Sequence, residues 1–262
     1  MQPRESASPV PISRLARLTE CRTIMTTISN NLQAVKLRIV HAAAAANRGP
    51  GEVQLLAVSK TWPADALRQA YAAGQTAFGE SYVQEALEKI EALRDLPLQW
   101  HFIGPIQSNK TRPIAENFDW VHSIDRLKIA ERLSQARPAG MPPINVCLQV
   151  NISHESTKSG IAPEEAASLA RAIRTLPHLK LRGLMAIPKE TTDYAAQREQ
   201  FRMLRALYEQ LNTAGLQLDT LSMGLSQDFE AAIAEGATIV RVGSAIFGER
   251  VKNQELNCKD KP

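Results

Sequence analysis

From Val53 onward, short apolar runs rich in branched residues alternate with longer stretches in which apolar residues recur every three or four positions. The short runs have the length and composition of buried strands, and the longer stretches have the period of amphipathic helices. This alternation is typical of a parallel sheet whose strands are joined by crossover helices. The pattern predicts eight strands, at residues 54–59, 76–79, 99–103, 120–124, 145–151, 180–186, 220–223 and 238–242.

Helix boundaries between these runs are also marked in the sequence. Pro63 stands at a first helical position, and Gly74 stands where a helix would end. Before the first strand, residues 28–46 predict an additional helix, which we expect to cover one end of the barrel. The fold class is therefore α/β, a single (β/α)8 TIM barrel with an additional N-terminal helix.

Length and composition are consistent with one domain. The chain has 262 residues, close to the roughly 250 of a typical barrel of this kind. We expect residues 1–24 to form a poorly ordered extension, 25–250 the ligand-binding barrel and 251–262 a C-terminal tail. The three cysteines are far apart and form no CxxC pair, which favours a cytoplasmic protein without a metal site.

Charge and hydropathy argue against two other classes of protein. The net charge is +4, and the basic residues are scattered among acidic ones, so we expect no nucleic-acid partner. No uninterrupted apolar stretch approaches the length of a membrane span, so we expect no membrane partner.

Lys60 closes the apolar run of the first predicted strand. Partial burial at a strand end favours the neutral, nucleophilic form of a lysine, which can form a Schiff base with an aldehyde cofactor. The alternative is a lysine whose ammonium extends into solvent.

The other strand ends would meet Lys60 at one mouth of the barrel, where such folds place their sites. They carry polar or pocket-forming residues: Glu80, His101, Ser123, Asn151, Met185, Ser222 and Arg241. Met185 is interpreted as part of a pocket wall. His101 could bind a ligand, although a packed, internally hydrogen-bonded histidine is the favoured interpretation.

The loops after the last two strands contain Ser222, Gly224 and Ser226, then Gly243 and Ser244. Small residues there let backbone amides approach an anion, and phosphate sites of barrels are often built from these two loops. The alternative for Ser226 is an ordinary helix N-cap. With Lys60, the loops predict a site for pyridoxal phosphate.

Arg241 precedes the second of these loops. A guanidinium facing the pyridine nitrogen would keep that nitrogen unprotonated and weaken the cofactor ring as an electron sink. The alternative is an arginine paired with a carboxylate, such as Glu80 or Asp228.

Several strings of residues closely resemble the pyridoxal phosphate homeostasis proteins. They are 57–60, 78–85, 100–110, 159–160, 183–188, 222–224 and 241–248. The resemblance covers about residues 28–250. Ser81 and Leu225 depart from it, because the family usually has Asn and Met at these positions.

The resemblance implies a barrel like the N-terminal domain of alanine racemase, with the cofactor linked to Lys60 and its phosphate near Ser226, Gly243 and Ser244. It also implies a role in intracellular vitamin B6 homeostasis, with no robust catalytic activity. The expected partners are pyridoxal phosphate, other B6 vitamers and, transiently, apoenzymes that use the cofactor.

The alternative function is an amino-acid racemase or related enzyme that uses the same cofactor. Racemisation needs acid-base groups on both faces of the substrate carbon. Because about a dozen residues follow Arg250, we expect no second domain to supply the opposing group. The carrier is therefore the favoured interpretation, and for the same reason we expect a monomer.

Overall fold

The computed structural model describes residues 12–153 and 159–249, with side chains from residue 27 onward. Eight parallel strands form a closed barrel in which each strand pairs with its neighbours in chain order, and β8 pairs with β1. The strands are β1 (Gln54–Val58), β2 (Ala77–Glu80), β3 (Gln99–Phe102), β4 (Trp120–Ile124), β5 (Ile144–Gln149), β6 (Leu179–Met185), β7 (Thr220–Ser222) and β8 (Ile239–Val242). The predicted barrel is confirmed, and each strand lies within two residues of its predicted bounds.

Helices surround the barrel and bury the outer faces of its strands. They are α1 (Ile12–Ala45), α2 (Ala64–Ala72), α3 (Val83–Ala92), α4 (Thr111–Asn117), α5 (Leu127–Ala136), α6 (Ala166–Arg174), α7 (Tyr194–Thr213), α8 (Phe229–Ala234) and α9 (Ser244–Phe247). Short 3-10 turns occupy Ser108–Lys110 and Pro163–Glu165. Within the described ranges, no helix combines the length and the apolar character needed to cross a membrane.

The additional N-terminal helix is present, but it lies along the outer wall of the barrel. Helix α1 packs against α2, α8 and α9. The side-chain amide of Asn31 donates to Ile246 O at 3.0 Å, and Arg38 forms an ion pair with Glu230 on α8. The expectation that this helix covers a barrel end is therefore wrong, because its buried face packs against helices of the outer ring.

The backbone of α1 begins at Ile12, within the segment predicted to be a poorly ordered extension. Residues 1–11 and 250–262 lie outside the described residues, as does the predicted tail at 251–262. The predicted domain bounds therefore stay a prediction.

Apolar side chains form two layers, as expected for a barrel whose strands alternate inward and outward. The larger cluster lies between the strands and the helices, and it includes Phe78, Phe102 and Phe229. A smaller cluster fills part of the barrel interior; its buried members are Leu56, Ala77, Trp120, Cys147, Met185 and Ile239. Among the described residues, buried polar side chains occupy another part of the interior, and their hydrogen bonds extend to the candidate site.

Candidate functional site

A cavity of about 730 Å³ opens at the carboxyl ends of the strands. Most of the residues predicted from the sequence line it: Lys60, Met185, Ser226, Arg241, Gly243 and Ser244. Apolar side chains such as Trp62, Ile103 and Ile187 form other parts of its wall. The cavity therefore combines an amine, a guanidinium and hydroxyl groups with an apolar surface, which is typical of a site for a small organic ligand.

Lys60 follows the end of β1, and the backbone around it is unusual. Ser59 N still donates to Gly79 O on β2 at 3.0 Å, so the chain is held to the sheet up to the residue before Lys60. Thr61 then has a φ of 71°. A positive φ is rare for a β-branched residue and often accompanies a functional site. This turn directs the chain away from the barrel toward α2.

The two loops predicted to hold a phosphate lie side by side. The Ser226 hydroxyl accepts from Gly243 N at 3.3 Å and from Ala245 N at 3.5 Å. Asp228 occupies the N-cap position of α8, so Ser226 is not the N-cap of that helix. Ser226 instead connects the β7 loop to the loop after β8.

The backbone at Gly243 lies close to β1. A Cβ atom there would lie 3.1 Å from Val58 O and 3.4 Å from Val58 Cβ. The absence of a side chain lets this loop pack closely on β1 at the cavity wall.

Arg241 is 2% exposed, and its guanidinium is held by neutral acceptors. It donates to Ser222 O at 2.7 Å, to Ser222 Oγ at 2.9 Å and to Ala186 O at 2.7 Å. Burial lowers the pKa of Arg241 to about 10, while the nearby Asp228 carboxylate opposes that effect. The guanidinium therefore remains charged at neutral pH, with its orientation fixed by the ends of β6 and β7.

Glu80, one carboxylate considered as a partner for Arg241, pairs with another cation. Its Oε1 atom lies 2.7 Å from Nζ of Lys89 on α3. Burial raises the pKa of Glu80, and the Lys89 ammonium opposes this shift. The ion pair between Glu80 and Arg241 that the sequence left open is therefore not formed.

A chain of buried hydrogen bonds extends from Arg241 through the barrel interior. His122 Nδ1 lies 2.7 Å from Ser222 Oγ, His122 Nε2 lies 2.9 Å from His101 Nδ1, and His101 Nε2 lies 3.0 Å from Gln99 Oε1. The Gln99 oxygen only accepts, so His101 Nε2 donates to it. His101 Nδ1 then accepts from His122 Nε2, and His122 Nδ1 accepts from Ser222. Ser222 thus accepts from Arg241 and donates to His122.

Both imidazoles in this chain are neutral. Burial lowers the pKa of His101 to about 3, and burial with the neighbouring His101 and Arg241 lowers the pKa of His122 well below its ordinary value. The interpretation of His101 as an internally hydrogen-bonded residue is confirmed. His122 was missed, although its place at the centre of the β4 sequence was a usable signal.

Three predicted ligand contacts do not line the cavity. Ser222 is buried below it, where it bonds Arg241 and His122. Gly224 has a φ of +94°, and a Cβ there would lie 2.7 Å from Ala232 Cβ, so its role is in packing against α8. Asn151 follows β5 and is half-buried, and its Oδ1 accepts from Ser153 Oγ at 3.3 Å. Direct ligand contacts by these residues stay predictions.

The two positions that depart from the resembled family, Ser81 and Leu225, both line the cavity. A Cβ at Gly104 would lie 2.3 Å from Ser81 O, so the backbone at Ser81 is packed tightly against the β3 loop. Glu190, Asp228 and Glu249 also line the cavity, and only Asp228 was predicted from the sequence to lie near Arg241.

Comparison with known proteins places this geometry in a family. The family model described as alanine racemase, N-terminal domain, matches residues 30–251. A pyridoxal phosphate homeostasis protein of Pseudomonas aeruginosa is 64% identical over 226 residues, which cover 86% of this chain and 97% of that protein. The chain belongs to the pyridoxal phosphate homeostasis protein family. A family member from Escherichia coli is 52% identical over 229 residues, with 86% of this chain and 98% of that protein covered.

Solved structures agree with this family assignment. PipY of Synechococcus elongatus, solved with pyridoxal phosphate bound, superposes with a TM-score of 0.70 at 41% identity and covers 80% of this chain and 100% of that one. Alanine racemase of Corynebacterium glutamicum superposes with a TM-score of 0.66 at 19% identity, and the match covers 88% of this chain and 63% of the racemase. The likeness to the racemase shows a shared fold.

Proposed function

We propose that this chain binds pyridoxal 5'-phosphate as a Schiff base on Lys60 and takes part in intracellular vitamin B6 homeostasis. The observation that carries the proposal is the convergence of Lys60, Arg241 and the Ser226–Gly243 contact on one cavity. The cofactor is an aldehyde with a phosphate group, and a lysine amine together with an anion-binding loop matches both ends of it.

The donor set of the cavity fits the phosphate group. The hydroxyls of Ser226 and Ser244 lie on two adjoining loops that line the cavity, and the Gly243 amide holds the Ser226 hydroxyl in place. A Cβ at position 243 would lie 3.1 Å from Val58 O, so the glycine lets this loop pack closely on β1. These residues would hold the phosphate, as expected from the loops after the last two strands of a barrel.

Lys60 and Arg241 would then act on the remainder of the cofactor. The neutral Lys60 amine adds to the aldehyde carbon, and one water leaves as the carbon–nitrogen double bond forms. Arg241, held by Ser222 and Ala186, would keep its charge near the pyridine nitrogen. When bound, the cofactor supplies an electron sink, and a guanidinium at that nitrogen weakens it, which favours storage over catalysis.

Replacing Lys60 with alanine tests the covalent attachment. Wild-type protein saturated with pyridoxal phosphate and reduced with borohydride is expected to carry the reduced adduct on the peptide that contains Lys60, and Lys60→Ala is expected to carry none there. The matched control is Lys128→Ala, because Lys128 is exposed on α5 and should leave the adduct unchanged. A reduced adduct on another side chain, or no adduct in the wild type, would overturn the proposal.

We also propose that the protein has no robust catalytic activity. Racemisation requires a second acid-base group on the face opposite Lys60. The described lining of the cavity contains no histidine, tyrosine or cysteine, its arginine is held by the acceptors named above, and its remaining acid-base groups are the carboxylates of Glu190, Asp228 and Glu249. The curated relatives are named as homeostasis proteins, which also supports this proposal.

The racemase alternative is tested with single-enantiomer amino acids. Incubation with L-alanine, followed by chiral analysis, is expected to give turnover no faster than an equal concentration of free pyridoxal phosphate. Clear turnover above that reference, lost in Lys60→Ala, would reverse the assignment. Transfer to apoenzymes, binding of other B6 vitamers, a monomeric state and a cytoplasmic location stay predictions.

A further inference from the structure

A buried ionic cluster lies beside the backbone that carries Lys60. Lys89 on α3 is 5% exposed, and its Nζ donates to Glu80 Oε1 at 2.7 Å, Glu85 Oε1 at 2.5 Å and Ser59 O at 2.8 Å. The ammonium thereby makes three hydrogen bonds, which is its full donor capacity. The cluster joins the ends of β1 and β2 to one face of α3.

The cluster holds the chain on both sides of Lys60. On one side, the Ser59 hydroxyl donates to Glu80 Oε1 at 2.6 Å, and the Ser59 carbonyl accepts from Lys89. On the other side, Thr61 N donates to Glu85 Oε1 at 2.5 Å. One carboxylate oxygen of Glu85 therefore binds both the Lys89 ammonium and the backbone of the residue after Lys60.

The held segment has a backbone conformation that it would otherwise rarely adopt. Thr61 has a φ of 71°, although it is β-branched. A residue persists in such a conformation only when its surroundings fix it, and the Glu85 contact fixes the Thr61 amide directly. Without that contact, the backbone after Lys60 is expected to relax toward ordinary φ values.

Stability alone does not account for the cluster. Glu80 is 0% exposed, and its Oε2 has no hydrogen-bond partner within the part of the chain that the structure describes. A buried ion pair with an unsatisfied oxygen is poor evidence for a purely stabilising role. Its location next to the amine-bearing strand end indicates a positioning role.

We propose that Glu85, acting through Lys89 and the Thr61 amide, is a positioning residue that orients the Lys60 amine toward the aldehyde of the bound cofactor. This inference rests on the proposed function. The lysine side chain is long and flexible, so a fixed backbone on both sides of it limits the positions that its amine reaches. Displacement of a reacting group by about 1 Å can slow a reaction by about a hundredfold.

The test compares Glu85→Ala with Glu85→Gln and the matched control Glu91→Ala. Glu85 is 29% exposed at its side chain, and its removal leaves the Lys89–Glu80 pair in place. Glutamine retains an acceptor oxygen for Thr61. Glu91 lies on the same helix and is 72% exposed, so its replacement controls for the loss of a carboxylate from α3.

The first readout needs no cofactor. Hydrogen exchange of the peptide that contains Thr61, measured by mass spectrometry on the full chain without ligand, is expected to be at least about tenfold faster in Glu85→Ala. Glu85→Gln and Glu91→Ala are expected to exchange at rates close to that of the wild type. Unchanged exchange in Glu85→Ala would overturn the inference.

The second readout is the rate at which the absorption band of the cofactor bound to Lys60 appears after pyridoxal phosphate is added. It is expected to fall at least about fivefold in Glu85→Ala, to recover in Glu85→Gln and to be unaffected in Glu91→Ala. If Glu85→Ala does not fold, Glu85→Asp, which is one methylene shorter, takes its place with the same expected slowing. Equal rates in all variants would overturn this inference alone, whereas no Lys60 adduct in the wild type would overturn the proposed function as well.

Discussion

Two buried cations lie near the mouth of this barrel, and they are held in opposite ways. Lys89 is bound by the carboxylates of Glu80 and Glu85. Arg241 is bound by two carbonyl oxygens and a hydroxyl, and no carboxylate among the described residues forms a hydrogen bond with it. The charge of Lys89 is therefore balanced inside the protein, whereas the charge of Arg241 remains available to a ligand in the cavity.

The neighbours of each cation reinforce this difference. Arg241 is connected by hydrogen bonds to His122 and His101. Both imidazoles are neutral, because burial keeps their pKa values low. Lys89 contacts the backbone before Lys60 directly, at Ser59 O, and the backbone after Lys60 through Glu85. We infer that the Lys89 cluster shapes the site and that Arg241 acts on what the site binds.

The largest expected effect is on stability, from breaking the Lys89 cluster. Lys89→Met leaves the buried Glu80 carboxylate without its cation and is expected to lower the free energy of unfolding by about 3–5 kcal/mol. The double variant Lys89→Met/Glu80→Leu removes both charges and is expected to recover most of that loss. Urea unfolding of both variants measures the difference.

Arg94→Met on the same helix serves as the control, because Arg94 is 77% exposed in its pair with Glu91. Its effect is expected to be small. If Lys89→Met were no more destabilising than Arg94→Met, the description of Lys89 as a balanced, buried cation would be wrong.

A smaller effect is expected from pH, through the histidines behind Arg241. Burial lowers the pKa of His101 to about 3 in the folded protein, from an ordinary value of 6.5. Between these values the unfolded chain binds a proton that the folded chain does not, so stability falls as the pH is lowered from about 6.5. For one histidine, the slope approaches about 1.4 kcal/mol per pH unit.

The comparison of wild type with His101→Gln isolates this contribution. Urea unfolding between pH 7 and pH 5 is expected to show a shallower loss of stability in His101→Gln, since groups away from the His101–His122 pair contribute equally to both proteins and burial, the main cause of the low His122 pKa, is retained. Parallel pH profiles of stability for the two proteins would mean that His101 takes up its proton in the folded state. The histidines hydrogen-bonded to Arg241 through Ser222 would then not both be neutral.

Much of the fold could be predicted because strand and helix periods are local properties of the sequence. The turn at Lys60 and the two loops around Ser226 and Gly243 were recognised in the same way, from residue types at strand ends. Lys89 was missed because a lysine on an amphipathic helix usually extends into solvent, although its spacing from Ala86 and Leu93 places it on their face of α3. Its burial depends on acceptors that the fold brings to it from the ends of β1 and β2, Ser59 O and Glu80 Oε1.

The interior hydrogen bonds also depend on tertiary contacts. His101 and His122 come from different strands, and their rings meet only because β3 and β4 pair in the barrel. Ser222 was predicted to contact the phosphate because it lies in a loop of small, hydroxyl-bearing residues. The register of β7 instead places its side chain below the cavity, against Arg241.

The most direct test of the account is a crystal structure of this protein grown with pyridoxal phosphate. We expect continuous density from Lys60 Nζ to the cofactor, with the phosphate within about 2.7–3.2 Å of donors from the Ser226 and Gly243 loops. Arg241 should face the pyridine nitrogen. A cofactor bound elsewhere, or in this cavity without a bond to Lys60, would contradict the account.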